Sequence, residues 1–174
     1  MTARTTQQLF DLRGKTALIT GGSRGLGLQM AHALGEAGAK IMLSSRKADD
    51  LEQAAAELQA AGIDARWIAA DCAKEEDTRR LAEETLQRLG AIDILVNNAG
   101  ILRDKSFAKM ELADFKLVVD VHLMGAVNCT KAVWALMNAQ KYGRIVMTTS
   151  SSGLYGNFGQ SNYGAAKLAL VGLM

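Results

Sequence analysis

A doubly wound, parallel α/β sheet with helices on both faces is what this chain of 174 residues predicts, on three observations. Short apolar segments rich in branched residues alternate with longer stretches of helical periodicity. Those segments are apolar along their whole length, as strands of a parallel sheet buried on both faces must be. Each then ends in small or polar residues: Thr20/Gly21, Ser45/Arg46, Asp71, Asn97/Asn98 and Ser150/Ser151. In such sheets ligands bind outside the C-terminal ends of the strands, where strand order reverses. A purely structural protein has no need of five such ends.

The elements follow in order. Residues 1–13 are polar and read as a loose arm, with Phe10 and Leu12 packing down. Residues 15–20 form the first strand, with Thr-Ala-Leu-Ile-Thr at its core. The turn Gly21-Gly22-Ser23-Arg24-Gly25-Leu26-Gly27 comes next, and an Ala/Leu-rich helix runs from it to about residue 37. Strand, glycine-rich turn and helix together aim backbone N–H groups and a helix N-terminus at a phosphate. Glycine permits the tight turn and lets a pyrophosphate approach the main chain. The pattern repeats as strand 40–44, helix 49–61, strand 65–70, helix 75–89 and strand 92–96. A long helical region over 113–139 precedes a strand at 144–149. There is no linker and no repeat beyond the βα rhythm, so residues 1–174 read as one domain. Leu170-Val171-Gly172-Leu173-Met174 is apolar, still in helical register and uncapped, so the expected domain lacks the last strands of its sheet.

Composition narrows the function. Apolar residues make up 49% and charged residues 22%, ordinary values for a soluble globular chain. A net charge of +2 with dispersed signs forms no basic stripe, which argues against a nucleic-acid partner. No apolar run approaches the roughly 18 residues of a membrane span, and no signal-peptide pattern opens the chain, so a cytoplasmic protein without a membrane partner is expected. Cys72 and Cys129 lie far apart and make no metal-binding pattern; buried, reduced thiols and no metal site are expected.

The stretch from Gly143 to Lys167 carries the chemistry. A strand ends in Ser150-Ser151-Ser152, a Gly/Asn-rich loop follows, and a helix then opens with Tyr163 and Lys167 four residues apart. That spacing puts both on one face, one turn apart. An ammonium so placed favours the ionised form of a phenol. Serines at the strand end can hold a carbonyl or alcohol oxygen opposite that phenol. Such a set moves a proton on and off an oxygen.

With these residues in hand, the chain resembles the short-chain dehydrogenase/reductase family. Thr20-Gly21-Gly22-Ser23-Arg24-Gly25-Leu26-Gly27 matches that family's Thr-Gly-x-x-x-Gly-x-Gly cofactor turn. Asp71 falls at its adenine-contacting acid, and Asn97-Asn98-Ala99-Gly100 is similar to its segment after the fourth strand. Ser150, Tyr163 and Lys167 match its Ser…Tyr-x-x-x-Lys set, Ser150 having the usual separation from the tyrosine. The resemblance implies a Rossmann-type, three-layer αβα domain that moves a hydride between a nicotinamide cofactor and a secondary alcohol or carbonyl. It implies Tyr163 as acid/base, Ser150 orienting the substrate oxygen, and Lys167 tuning the tyrosine and holding the nicotinamide ribose. It further implies cofactor contacts from Gly21, Ser23, Arg24, Gly25, Leu26, Gly27, Asp71, the Cys72 backbone, Asn97, Asn98 and Tyr163. A full-length member is expected to be a homo-dimer or tetramer.

Two features depart from the family pattern or refine it. His122 stands where the family often has an asparagine that supports a water beside the lysine. Histidine there resembles the hydroxyacyl-CoA dehydrogenase units of multifunctional β-oxidation enzymes, as do Ile101-Leu102-Arg103-Asp104-Lys105-Ser106-Phe107 and Tyr155-Gly156-Asn157-Phe158-Gly159-Gln160. His122 either substitutes for the asparagine or is a helix histidine packed beside the site. The second strand ends in Ser44-Ser45-Arg46-Lys47, with no acid before Asp49 to read a ribose 2′-hydroxyl. Arg46 and Arg24 suit a 2′-phosphate, so NADP(H) is favoured over NAD(H). The expected substrate is a small hydroxy or oxo compound, with a 3-hydroxyacyl or 3-oxoacyl thioester in view. The alternatives are a sugar-acid or polyol dehydrogenase and a catalytically silent nucleotide-binding fragment. Trp67, Trp134 and the methionines read as core or interface filler.

Overall fold

The computed structural model describes residues 5–174. Five parallel strands, β1 (Thr16–Thr20), β2 (Lys40–Ser45), β3 (Ala65–Ala69), β4 (Ile94–Asn97) and β5 (Arg144–Met147), lie in the order β3-β2-β1-β4-β5. The order reverses between β1 and β4, which opens a crevice at their C-terminal ends. Register is tight: Leu18 lies opposite Met42 on one side and Leu95 on the other. β5 pairs with β4, as expected for the strand that follows the long helix.

Period-two alternation divides the core in two. Ala17, Ile19, Ile41 and Leu43 point to the face covered by α2 (Gly25–Glu36) and α3 (Ala48–Ala60). Leu18, Met42 and Leu95 point to the face covered by α4 (Glu75–Leu89) and, after α5 (Leu112–Val119), by α6 (Gly125–Gln140). The result is the three-layer αβα arrangement predicted. After β5 come a short α7 (Ser151–Tyr155) and α8 (Ser161–Leu173).

Several boundaries differ from the sequence reading. The arm contains a helical turn, α1 (Thr6–Leu9), because Thr5 and Gln8 close a reciprocal capping box. Phe10 is 69% exposed rather than packed, whereas Leu12 does pack on the core. Residues 1–4 of that arm lie outside the described residues. The long helix is interrupted by a π turn, Asp120–Met124, closed by the Gly125 N–H donating to Asp120 O. Gly125 makes the interruption packable, since a Cβ there would sit 2.8 Å from Cys72 Sγ. β4 begins at Ile94, later than read, and just before it the Asp93 carboxylate accepts from Thr16 N at 3.0 Å and Lys15 Nζ at 3.1 Å. β5 ends at Met147 because the Asn98 and Ala99 amides both turn away to Thr20 Oγ1. Trp134 is 57% exposed and so is no core residue, while Trp67 packs against the core.

Candidate active site

The glycine turn is held open from below. Gly21 and Gly25 have φ of 64° and 55°, the left-handed region that a side chain rarely adopts. Gly27 is required for a different reason: a Cβ there would lie 2.2 Å from Gly21 O. Asn98 Nδ2 donates to Thr20 O at 3.1 Å and Gly21 O at 3.2 Å, tying the turn to the end of β4. No side chain caps α2, so its first N–H groups face outward into the crevice. Thr20 was not singled out as a site residue, yet its hydroxyl ties the ends of β1 and β4 together, donating to Val96 O and accepting from Asn98 N and Ala99 N.

The crevice is a cleft of about 270 Å³. Gly21, Ser23, Arg24, Leu26 and Gly27 wall one side, and Arg46, Asp71, Cys72 and Asn98 also line it. Gly25 is not among the lining residues, and neither is Asn97. Asn97 is buried beneath the cleft, donating to Thr130 Oγ1 at 3.2 Å. At the β2 end of the cleft Arg46 and Lys47 stand together with Asp50, and Ser45 Oγ is buried there without a protein partner. Asp71 accepts from Ala73 N at 3.1 Å, which fixes its carboxylate in the wall. Burial, with Asp71 adding to it, pushes the Cys72 thiol up to about 11, so it stays a thiol at neutral pH.

The catalytic candidates assemble beside this cleft. Ser150 caps α7, its Oγ accepting from Ser152 N at 3.2 Å, which leaves its proton for a second oxygen. Two glycines let α7 and α8 approach closely. A Cβ on Gly153 would be 2.8 Å from Leu168 N, and one on Gly164 would be 2.9 Å from Ser152 O. The first turn of α8 carries Tyr163, half-buried, and one turn on is Lys167, 3% exposed. Lys167 Nζ lies 5.6 Å from the centre of the Tyr163 ring and donates to Thr148 O. Burial draws the Lys167 ammonium down to about 8, still mostly charged at neutral pH.

His122 closes the group. Its ring meets that of Tyr163 edge-to-face, centroids 5.2 Å apart. Burial lowers its pKa to about 4, the nearby Lys167 charge acting in the same direction, against a hydrogen bond with Ile101 that raises it. The neutral ring places Nε2 2.8 Å from Ile101 O and 3.0 Å from Ile101 N. One imidazole nitrogen is either donor or acceptor, so it serves one of these two groups at a time. Gly100 permits the approach, since a Cβ there would stand 2.4 Å from His122 Cε1. His122, Asn97 and Lys167 line a small space of about 10 Å³, the size that takes one water. Its walls include Thr20, Cys72, Ala99 and Val121, which also line the cleft. Asn97 Oδ1 and His122 Nδ1 are buried without a protein partner.

The whole arrangement defines a Rossmann-type αβα domain in which His122, Tyr163 and Lys167 are grouped beside the cleft. A family model for short chain dehydrogenases matches residues 15–174, and the chain belongs to that family of oxidoreductases. It is 44% identical over 169 residues to peroxisomal multifunctional enzyme type 2 of Drosophila melanogaster, a match covering 92% of this chain and 28% of that protein. It is 42% identical over 162 residues to a 3-oxoacyl-[acyl-carrier-protein] reductase of Synechocystis, covering 92% of this chain and 66% of that one. A solved structure from Sinorhizobium meliloti, assigned as a short-chain alcohol dehydrogenase, superposes with a TM-score of 0.90 at 34% identity, covering 94% of this chain and 65% of that chain. The chain thus spans between 28% and 66% of the length of these relatives.

Proposed function

We propose that this chain carries the cofactor and proton-transfer half of an oxidoreductase that interconverts a 3-oxoacyl and a 3-hydroxyacyl thioester, with NADP(H) preferred. The observation that carries the reading is the grouping of Tyr163 with Lys167 and His122, which line a small space whose walls Thr20, Cys72, Ala99 and Val121 are shared with the cleft that the glycine turn opens. The cleft suits a dinucleotide: uncapped N–H groups at the start of α2, two left-handed glycines, and an unpartnered buried hydroxyl at Ser45. A nicotinamide cofactor bound there supplies or accepts the hydride. Arg46 and Arg24, with Lys47 beside them, would hold a 2′-phosphate. Ser150 donates a hydrogen bond to the substrate oxygen. Tyr163 gives that oxygen its proton in reduction and takes it back in oxidation. Lys167, a cation near the phenol at neutral pH, stabilises the phenolate left behind, and its low exposure keeps water from screening it. His122, held uncharged, sets the Ile101 segment and does not compete for the proton. The thioester reading is supported by the names of the relatives, among them a 3-oxoacyl-[acyl-carrier-protein] reductase. A homo-oligomer belongs to the same reading, with exposed Trp134 on α6 and Leu168 on α8 as its apolar contacts.

The test follows nicotinamide absorbance with a panel of 3-oxoacyl thioesters, polyols and sugar acids. Thioesters are expected to turn over, and Tyr163→Phe to keep its cofactor affinity while losing all but a few per cent of the rate. Turnover of polyols alone overturns the substrate class; activity surviving in the phenylalanine variant overturns the acid/base role. In parallel titrations Arg46→Asp should lower NADPH affinity roughly tenfold or more, the worth of one charge-assisted hydrogen bond, and leave NADH nearly unmoved. Equal affinity of the unaltered chain for both cofactors refutes the preference.

A further inference from the structure

The loop after β4 and the loop before α8 are fastened to each other through one carboxamide. Gln160 Oε1 accepts from Ser152 Oγ at 2.9 Å and from Asn157 Nδ2 at 2.9 Å. Gln160 Nε2 donates to Asp104 Oδ2 at 2.8 Å. Two further bonds run alongside: Lys105 N donates to Gly159 O at 2.9 Å and Asn162 Nδ2 to Arg103 O at 3.0 Å. Asn162 is wholly buried, and its Oδ1 accepts from Tyr163 N at 2.7 Å. The two loops serve different halves of the site. Gly100 and Ile101, where the first loop begins, line the cleft and contact His122. The second loop ends at Tyr163, and Ser152 contacts Ser150.

We infer that Gln160 is a positioning residue: its carboxamide clasps the cleft-side segment 101–105 to the segment bearing Ser150 and Tyr163, so that both order as one unit. The chemistry of glutamine is what the place needs. Its oxygen takes two donors from the catalytic loop while its nitrogen gives one to a carboxylate on the other loop. Neither a carboxylate nor an ammonium at position 160 can do both. The role rests on the proposed function in one respect only, that cofactor occupying the cleft acts on the first loop and is felt through the clasp at the second.

Hydrogen exchange of this chain, followed at the Lys105, Ser152 and Tyr163 amides, tests it without turnover. Gln160→Glu keeps the acceptor towards Ser152 and Asn157 but sets two carboxylates face to face across the Asp104 contact. All three amides should then exchange roughly tenfold faster, the worth of one hydrogen bond to a charged group. Adding Asp104→Asn to Gln160→Glu restores the contact with donor and acceptor exchanged, and protection should return at all three. Faster exchange at Ser152 alone, or no recovery in the double variant, overturns the clasp. With NADPH added, the unaltered chain should gain protection in both loops and the Gln160→Glu variant only in the first. Gain in both loops of that variant also overturns it. If NADPH protects neither loop of the unaltered chain, the cofactor reading fails, and the ligand-free comparison still decides the clasp.

Discussion

His122 shows how a single buried side chain is matched to its surroundings. Its pKa of about 4, against an ordinary 6.5, means that the unfolded chain binds its proton more readily than the folded one. Stability contributed by keeping this ring neutral is therefore complete above about pH 6.5 and is lost as pH falls towards 4. The full shift is worth on the order of 3 kcal/mol. His122→Asn should remove this acid limb, so urea midpoints of the two proteins should converge at pH 7 and separate at pH 4.5 with the asparagine form more stable. Parallel curves at both pH values would mean that the ring is not held neutral. An asparagine there also offers a donor and an acceptor together, where the imidazole nitrogen serves Ile101 O or Ile101 N alone. Tyr163 and Lys167 were legible in the sequence because a four-residue spacing is enough to put them on one helix face. The contacts of His122 were not, since they depend on a π turn and on Gly100, whose missing Cβ matters only once two distant segments meet.

At the scale of elements, the strand–turn–helix unit at Thr20 to Gly27 is the part whose function was most readable and whose support was least so. Glycine spacing is a local signal. The bonds from Asn98 that hold the turn join residues 77 and 78 positions apart, and no periodicity reports them. The same non-local cause shortens β5, because the residues after Asn97 abandon it for Thr20. Gly27→Ala tests the unit. The added methyl would meet Gly21 O at 2.2 Å and Asn98 Nδ2 at 2.7 Å, and a main-chain oxygen cannot give way as a flexible side chain does. The turn must move, at a cost of about 1–3 kcal/mol in stability. Cofactor affinity should fall at least tenfold, because the displaced N–H groups are those aimed at the pyrophosphate. Calorimetry and cofactor titration of the variant measure both; a full-strength cofactor site in a stable Gly27→Ala protein would show that the turn tolerates a side chain.

The molecule as a whole manages its two sheet edges unequally. The outer carbonyls of β3 are covered by long polar side chains, with Gln59 Nε2 donating to Ala65 O, Arg88 to Trp67 O and Arg80 to Ala69 O. Arginine heads over alternate carbonyls leave little for another strand to pair with. β5 has no such cover among the described residues: no side-chain donor reaches the main chain of Ile145 or Met147, and Val146 is 46% exposed. Elsewhere α8 presents Leu168 at 49% and Leu173 at 42% exposure. An uncovered strand edge is a template for pairing with another chain and exposed apolar helix residues add to it, so this 174-residue protein should self-associate with rising concentration. Val146→Lys puts an ammonium on that edge without touching the cleft, the glycine turn or the group around Tyr163. It should shift the sedimentation profile towards monomer while leaving cofactor affinity within about twofold, a change too small to reflect a lost hydrogen bond. If the variant associates as strongly as the parent, the open edge is not the adhesive surface, and Trp134 on α6, 57% exposed, is the next candidate.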